Sequence, residues 1–228
     1  MAGVVDSRQE VASTRDEPTT ALNLAVLLSG TGRSLANLVR VIAGGSLHAR
    51  ISVVISSKPA VRGLEIAAEA GIPTVVIERK RFSDDEAFSE ATYAVLAPYR
   101  PDLIVMAGFL RKLIVRPEWE GRILNIHPAL LPESAAAGKG FYGERVHAAV
   151  IASGATESGA SVHIVDNEYD TGPVVMRATV PVLPDDTPAS LGARVFAAEC
   201  ELYPNAIGSY AAANRDLIAA GRKQCSGG

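Results

Sequence analysis

Five short, continuous apolar runs rich in Val, Ile and Leu, at 22–28, 51–56, 74–77, 102–107 and 122–126, are separated by segments of helical length. A strand with one wet face must alternate polar and apolar residues. These runs do not alternate, so each is expected to be buried on both faces, as in a parallel sheet covered by helices on either side. The pattern therefore predicts a doubly wound α/β fold with a mostly parallel sheet. Helices are expected over 33–42, 62–70 and 83–99. Ser83 is read as the cap of the third, with Asp84, Asp85 and Glu86 in the first turn, where the helix dipole favours acids. Beyond residue 159 the pattern changes. Runs at 160–165 and 174–182, joined by turn-rich residues, predict an antiparallel hairpin extension of the sheet. A last helix over 188–213, with Leu191, Val195, Ala198 and Leu202 on one face, is expected to pack back onto it.

Length and charge narrow the function classes. The 228 residues, about half of them apolar, suffice for one substantial core. Residues 1–20 show no period and read as a disordered extension, 21–215 as the domain and 216–228 as a flexible tail. With 22 basic and 25 acidic residues the formal charge is −3, which gives no footprint for nucleic acid or an anionic membrane surface. Two cysteines, Cys200 and Cys225, make neither a disulfide framework nor a metal cluster. No run is long enough to cross a bilayer and no secretory leader is visible, so a soluble, cytoplasmic protein is expected. A homodimer is left open.

Three local patterns carry candidate chemistry. The first apolar run ends in Ser29-Gly30-Thr31-Gly32-Arg33-Ser34 and enters a helix. Such a turn either cradles a phosphate with backbone N–H groups and the helix dipole or simply connects strand to helix. It lacks the third glycine of a dinucleotide fingerprint and the ending of a P-loop. The second pattern, Asn125-Ile126-His127-Pro128, closes the fifth run. The side-chain period of two puts Asn125 and His127 on one face, and Pro128 keeps His127 extended. Open α/β sheets bind ligands at the carboxyl ends of their strands. An imidazolium beside a carboxamide can donate two hydrogen bonds to a developing oxyanion, as acyl transfer requires; equally, the pair can cap a strand end. The third is Asp170, in Glu168-Tyr169-Asp170-Thr171-Gly172-Pro173. It is either turn chemistry or a carboxylate that faces His127, raises its pKa and orients the ring.

Taken in order, Ser29-Gly30-Thr31-Gly32, Ala107-Gly108-Phe109-Leu110-Arg111, Asn125 to Pro132, Ser161-Val162-His163 and Asp170-Thr171-Gly172-Pro173 resemble the phosphoribosylglycinamide formyltransferases, within the folate-dependent formyltransferase family. The resemblance covers about residues 22–210 and implies the Rossmann-like formyltransferase fold. It further implies 10-formyltetrahydrofolate as co-substrate, the amine of glycinamide ribonucleotide as acceptor, no metal and no covalent intermediate. By the same resemblance His127 is the general acid, Asn125 the second oxyanion donor, and Asp170 the group that keeps His127 protonated and helps move the amine proton. Gly32, Arg33 and Ser34 are implied to hold the ribonucleotide phosphate, and Glu199, otherwise a solvated helix charge, to contact the ribose. Leu110, Arg111, Lys112 and Leu113, with Asn125 and the loop Asp166, Asn167, Glu168, Tyr169 and Asp170, are implied to line the pterin pocket. His163 reads as a supporting residue behind the site or a satisfied core histidine.

The chain departs from the family pattern at Ser34, at Asp85 and in a longer segment over 133–143. There Lys139 either belongs to a lid that reaches a phosphate or the folate glutamate tail, or is an exposed lysine on a solvated loop. The rivals each miss something. A formyltetrahydrofolate hydrolase usually carries a regulatory domain and a His-His sequence where this chain has His127-Pro128. A methionyl-tRNA formyltransferase needs a nucleic-acid-binding domain. An NAD-dependent oxidoreductase would place an acid after the second strand, where Ser56-Ser57-Lys58-Pro59 stands. A non-catalytic nucleotide-binding module leaves Asn125, His127 and Asp170 without a reason to coincide.

Overall fold

The computed structural model of the chain describes residues 21–132, 134, 138, 140 and 142–224. The expectation for residues 1–20, and that for Lys139, lie outside them. The elements run β1 Leu22–Leu28, α1 Arg33–Ala43, β2 Ala49–Ser56, α2 Arg62–Glu69, β3 Thr74–Val76, α3 Asp85–Leu96, β4 Leu103–Met106 and β5 Ile123–His127. They continue with α4 Glu144–Ala152, β6 Glu157–Ile164, β7 Val174–Pro181, α5 Pro188–Ala213 and α6 Arg215–Gln224. The seven strands form one sheet in the order β3-β2-β1-β4-β5-β6-β7. β1 to β5 run parallel, and β6 and β7 are added antiparallel beside β5. This is the doubly wound, mostly parallel sheet with a hairpin extension that the apolar runs predict.

Why the runs do not alternate is visible in β1, where every residue is buried. Leu24, Val26 and Leu28 enter one layer with Leu35, Leu38, Leu191, Val195 and Ile207 of α1 and α5. Ala25 and Leu27 enter the other with Phe88, Tyr93 and Leu96 of α3. α5 is pinned under the sheet by Tyr203, whose hydroxyl reaches the carbonyls of Met106 (2.8 Å) and Leu124 (3.1 Å). Burial holds that phenol far above its ordinary pKa, so it remains a donor.

Boundaries shift where local chemistry differs from the expectation. The cap of α3 is Asp84, whose Oδ1 accepts from the N–H of Ala87. Ser83 instead donates its hydroxyl to Asp84 Oδ2. The same helix leaves α geometry at Leu96 and tightens into a 3-10 turn over Ala97–Tyr99, which contains Pro98. Two corrections are larger. α4 occupies Glu144–Ala152, where no helix was expected. Residues 216–224, read as flexible tail, belong to helix α6, with Ile218 buried and Arg222 paired to Asp102. Among the described residues no helix is long and apolar enough to cross a membrane.

Candidate active site

Asn125 and His127 leave the same face of β5, and the antiparallel pairing with β6 decides what meets them. Asn125 lies opposite His163 and His127 opposite Ser161. Directly opposed residues hold their side chains within reach of one another, and Asn125 Nδ2 lies 3.0 Å from His163 Nε2. A bulge in the β6–β7 pairing falls between Val162 and His163, where it re-aims the histidine. Ser161 secures the exit from β5: its hydroxyl donates to Ala129 O (2.8 Å) and accepts from Leu131 N–H (2.9 Å). His127 and His163 are both buried, at 4% and 2% exposure.

Asp170 comes from the β6–β7 connection. Its Oδ1 stands 3.6 Å from His127 Nδ1 and 3.7 Å from His163 Nε2, so one carboxylate oxygen sits between two imidazoles. Its Oδ2 accepts from the N–H of Gly138 at 2.9 Å. The residue has φ 59°, in the left-handed region, which Asp tolerates better than most side chains. Gly172 lets the loop close, because a Cβ there would collide with the carbonyl of Ile164. Burial alone would push the Asp170 carboxyl up. The charge of His127 and the Gly138 N–H oppose it, and the acid is held below its ordinary value. The two sequence readings of Asp170 are therefore compatible: it is a turn residue, and the turn delivers it to the histidines.

In front of these groups lies an open cleft of about 450 Å³. Met106, Phe109 and Val165 give it an apolar wall, and Asn125, His163 and Asp170 a polar one. Of the residues expected to form a pocket, Arg111, Lys112, Leu113, Asp166, Glu168 and Tyr169 also line it. Leu110 and Asn167 do not. The N–H of Leu110 donates to Ser29 Oγ, and Asn167 Oδ1 accepts from the N–H of Val115.

A second, shallow recess lies where α1 meets α5, lined by Ser34, Asn37, Phe196, Glu199, Cys200 and Tyr203. α1 starts from Gly32 in the left-handed region, with no side chain capping its first turn. A Cβ on Gly32 would run into the backbone of Gly63 in α2. The bare helix start is thus a product of close packing, and it exposes N–H groups and the positive dipole end to an anion. Arg33 lies over the ring of Phe196, 3.6 Å from its centroid. Burial raises the Glu199 carboxyl to about 7, with the charge of Arg33 opposing. Tyr203 lines this recess and hydrogen-bonds the carbonyl of Met106, which lines the larger cleft. Ser34 and Glu199 thus line one recess, with Arg33 close enough for its charge to act on Glu199 and Gly32 opening the same helix.

The sequence expectation missed His163 as a partner of Asn125. The period-two spacing of Ser161 and His163 signals their shared face, but the register that puts His163 against Asn125 is set only on pairing. His147, on α4, is buried at 7% exposure with Nδ1 unpartnered. Burial holds its pKa below the ordinary value, with Glu144 opposing and the charge of His127 adding to the shift.

A family model described as formyl transferase matches residues 22–207. The trifunctional purine biosynthetic protein adenosine-3 of Drosophila melanogaster is 42% identical over 189 residues, which are 81% of this chain but 13% of that protein. The chain thus spans a small part of the trifunctional relatives it matches. The chloroplastic phosphoribosylglycinamide formyltransferase of Arabidopsis thaliana is 36% identical over 203 residues, covering 88% of this chain and 68% of the relative. The crystal structure of phosphoribosylglycinamide formyltransferase from Brucella melitensis shares the fold with a TM-score of 0.75 at 39% identity, over 84% of this chain and 96% of that one.

Proposed function

The chain belongs to the formyl transferase family, and from that premise we propose that it transfers the formyl group of 10-formyltetrahydrofolate to the amine of glycinamide ribonucleotide, in de novo purine biosynthesis. The observation that carries the reading is the meeting of Asn125, His127 and Asp170 at the carboxyl end of β5: Asn125 and Asp170 line the polar wall of a cleft whose other wall is apolar, and His127 lies buried beside Asp170. That cleft suits a flat heteroaromatic ring presenting its formyl group to the polar side. Arg111, Lys112 and Leu113, with the loop from Asp166 to Asp170, hold the folate. The start of α1 at Gly32, Arg33 and Ser34 holds the ribonucleotide phosphate, and Glu199 contacts the ribose.

In the reaction the amine nitrogen attacks the formyl carbon, a C–N bond forms, and the carbonyl electron pair moves onto oxygen. Protonated His127 and the amide N–H of Asn125 donate to that oxyanion, where preorganised donors act most strongly. Asp170, ionised and beside His127, keeps the imidazolium charged and takes part in removing the amine proton. Collapse breaks the bond from the formyl carbon to the folate nitrogen, which leaves with a proton.

The test is an assay of purified protein that follows loss of 10-formyltetrahydrofolate with and without glycinamide ribonucleotide. Loss is expected only with the ribonucleotide. Loss without it would make the protein a hydrolase, and no loss in either tube would remove the reading. The same reading carries small-molecule partners without nucleic acid, and a cytoplasmic location. Because the Arabidopsis relative is chloroplastic by name, cell fractionation tests the location, and sedimentation tests whether the chain pairs with itself.

A further inference from the structure

His163 offers its two ring nitrogens to two different partners. Nδ1 lies 3.0 Å from the carbonyl oxygen of Ile164. A carbonyl oxygen only accepts, so Nδ1 carries a hydrogen. In the neutral ring Nε2 is then bare and can only accept. The group facing it at 3.0 Å is the Asn125 amide. The amide group turned toward a bare nitrogen must be its NH₂, since a carbonyl oxygen there would set two lone pairs against each other. Asp170 Oδ1, at 3.7 Å from the same nitrogen, is beyond hydrogen-bond distance. The tautomer of one residue thus fixes which way another residue's amide points.

We propose that His163 is a positioning residue for formyl transfer, held as the neutral Nδ1–H tautomer by the Ile164 carbonyl, whose Nε2 fixes the Asn125 amide by accepting one N–H and leaves the second for the cleft. The inference rests on the transfer reading for its consequence and on geometry for its cause. An amide free to rotate would present oxygen or nitrogen to the developing oxyanion, and only nitrogen stabilises it. The fixed tautomer also separates the two imidazoles around Asp170. With Nδ1–H committed to Ile164 and Nε2 to Asn125, His163 has no further proton to offer the carboxylate. His127 has its Nδ1 at 3.6 Å from the same oxygen, so the imidazolium that Asp170 stabilises is that of His127. Two histidines of similar burial so acquire different roles from their hydrogen-bond partners.

The tautomer is read directly on wild-type protein labelled with ¹⁵N-histidine, by long-range proton–nitrogen correlation at neutral pH. A protonated Nδ1 and an unprotonated Nε2 on His163 are expected. A protonated Nε2, as the other tautomer or the imidazolium, overturns the proposal whether or not the protein transfers formyl groups. Kinetics supplies the second arm. His163→Leu is expected to lower kcat about ten- to a hundredfold while changing KM for both substrates less than about twofold, the signature of a misplaced transition-state contact. His163→Gln, which sets an amide oxygen near the Nε2 position, should restore most of that rate. In an Asn125→Ala background, His163→Leu should change kcat by less than about twofold, since its target is gone. An equal loss in both backgrounds, or a Gln variant as slow as Leu, overturns the proposal. If the Leu variant does not fold, the tautomer measurement decides alone.

Discussion

The two ends of the sheet bury polar groups in opposite ways. At the amino ends of the strands Asp102, 1% exposed, receives both Nε and Nη2 of Arg222 at 2.7 Å and the N–H of Asn23 at 2.8 Å. Beside it Arg122 donates to the carbonyls of Asp102 and Pro101 and stacks on Trp119. Each charge there is matched at full hydrogen-bond contact. At the carboxyl ends Asp170 stands 3.6 Å and 3.7 Å from its two imidazoles, on a left-handed backbone. Groups locked in short bidentate pairs have no capacity left for a ligand. The Asp170 carboxylate and its two imidazoles, held near one another but short of contact, can tighten onto one. Burial is therefore common to structural and reactive clusters in this fold, and what distinguishes them is whether the acid meets its cationic partner at full contact.

The largest effect expected of that contrast is on rate at the carboxyl end. His127→Asn should lower kcat about a thousandfold or more and leave the thermal midpoint nearly unchanged, and Asp170→Asn should follow with about a hundredfold loss. Calorimetry beside the formyl-transfer assay checks both, and a large fall in the midpoint would mean that the site cluster also holds the fold. The mirror experiment at the amino end is Asp102→Ala. It orphans the Asn23 N–H and leaves Arg222 without its carboxylate, so stability should fall by about 3 kcal/mol, while kcat per folded molecule stays at the wild-type value. A rate loss there would couple the ends and break the contrast.

Most of the carboxyl end is legible in the sequence, and much of the amino end is not. Asn125 and His127 follow from a period of two at the end of an apolar run, because strand direction and side-chain alternation are local properties. His163 escapes because its pairing with Asn125 depends on an antiparallel register that is fixed only when β6 docks beside β5, with His127 opposite Ser161. Asp170 is ambiguous in sequence because its turn chemistry is real. α6 is the instructive failure. Its Asp216, Arg222, Lys223 and Gln224 read as part of a flexible polar tail. Its place in the fold rests on Ile218, on a guanidinium matched to an acid 120 positions away in sequence, and on Gly221, where a Cβ would strike Arg122.

Glu199 sharpens the contrast at smaller scale, because it is a partly buried acid at the reactive end without a short partner. Folded, its carboxyl keeps a proton up to about pH 7; unfolded, it ionises near 4.5. The folded state therefore binds more protons between these values, and stability falls as pH rises across the window. Glu199→Gln removes that loss. The variant should be about 1 kcal/mol more stable than wild type at pH 8 and equal to it near pH 4.5, by urea titration, the full shift being reduced by solvent reaching the recess. Under the proposed function the same change should raise KM for the ribonucleotide, so stability and binding move in opposite directions.

His147 carries the smallest expected effect and the opposite sign. Its ring packs against Gly192 of α5, its Nδ1 has no partner, and its pKa is held below the ordinary 6.5, chiefly by burial. As pH falls through 6.5 the unfolded chain takes up a proton that the folded ring resists, so this histidine withdraws stability on the acid side and is neutral above it. His147→Leu fills a similar volume without a titrating group. Relative to wild type it should gain less than about 1 kcal/mol between pH 8 and pH 5.5, read from urea midpoints at the two values. Glu144, on the same helix, and His127, whose charge opposes protonation, are the groups that set the size of the effect. A difference that does not change with pH would mean that the protonated ring finds a partner, and His147 would then belong with the matched charges of the amino end.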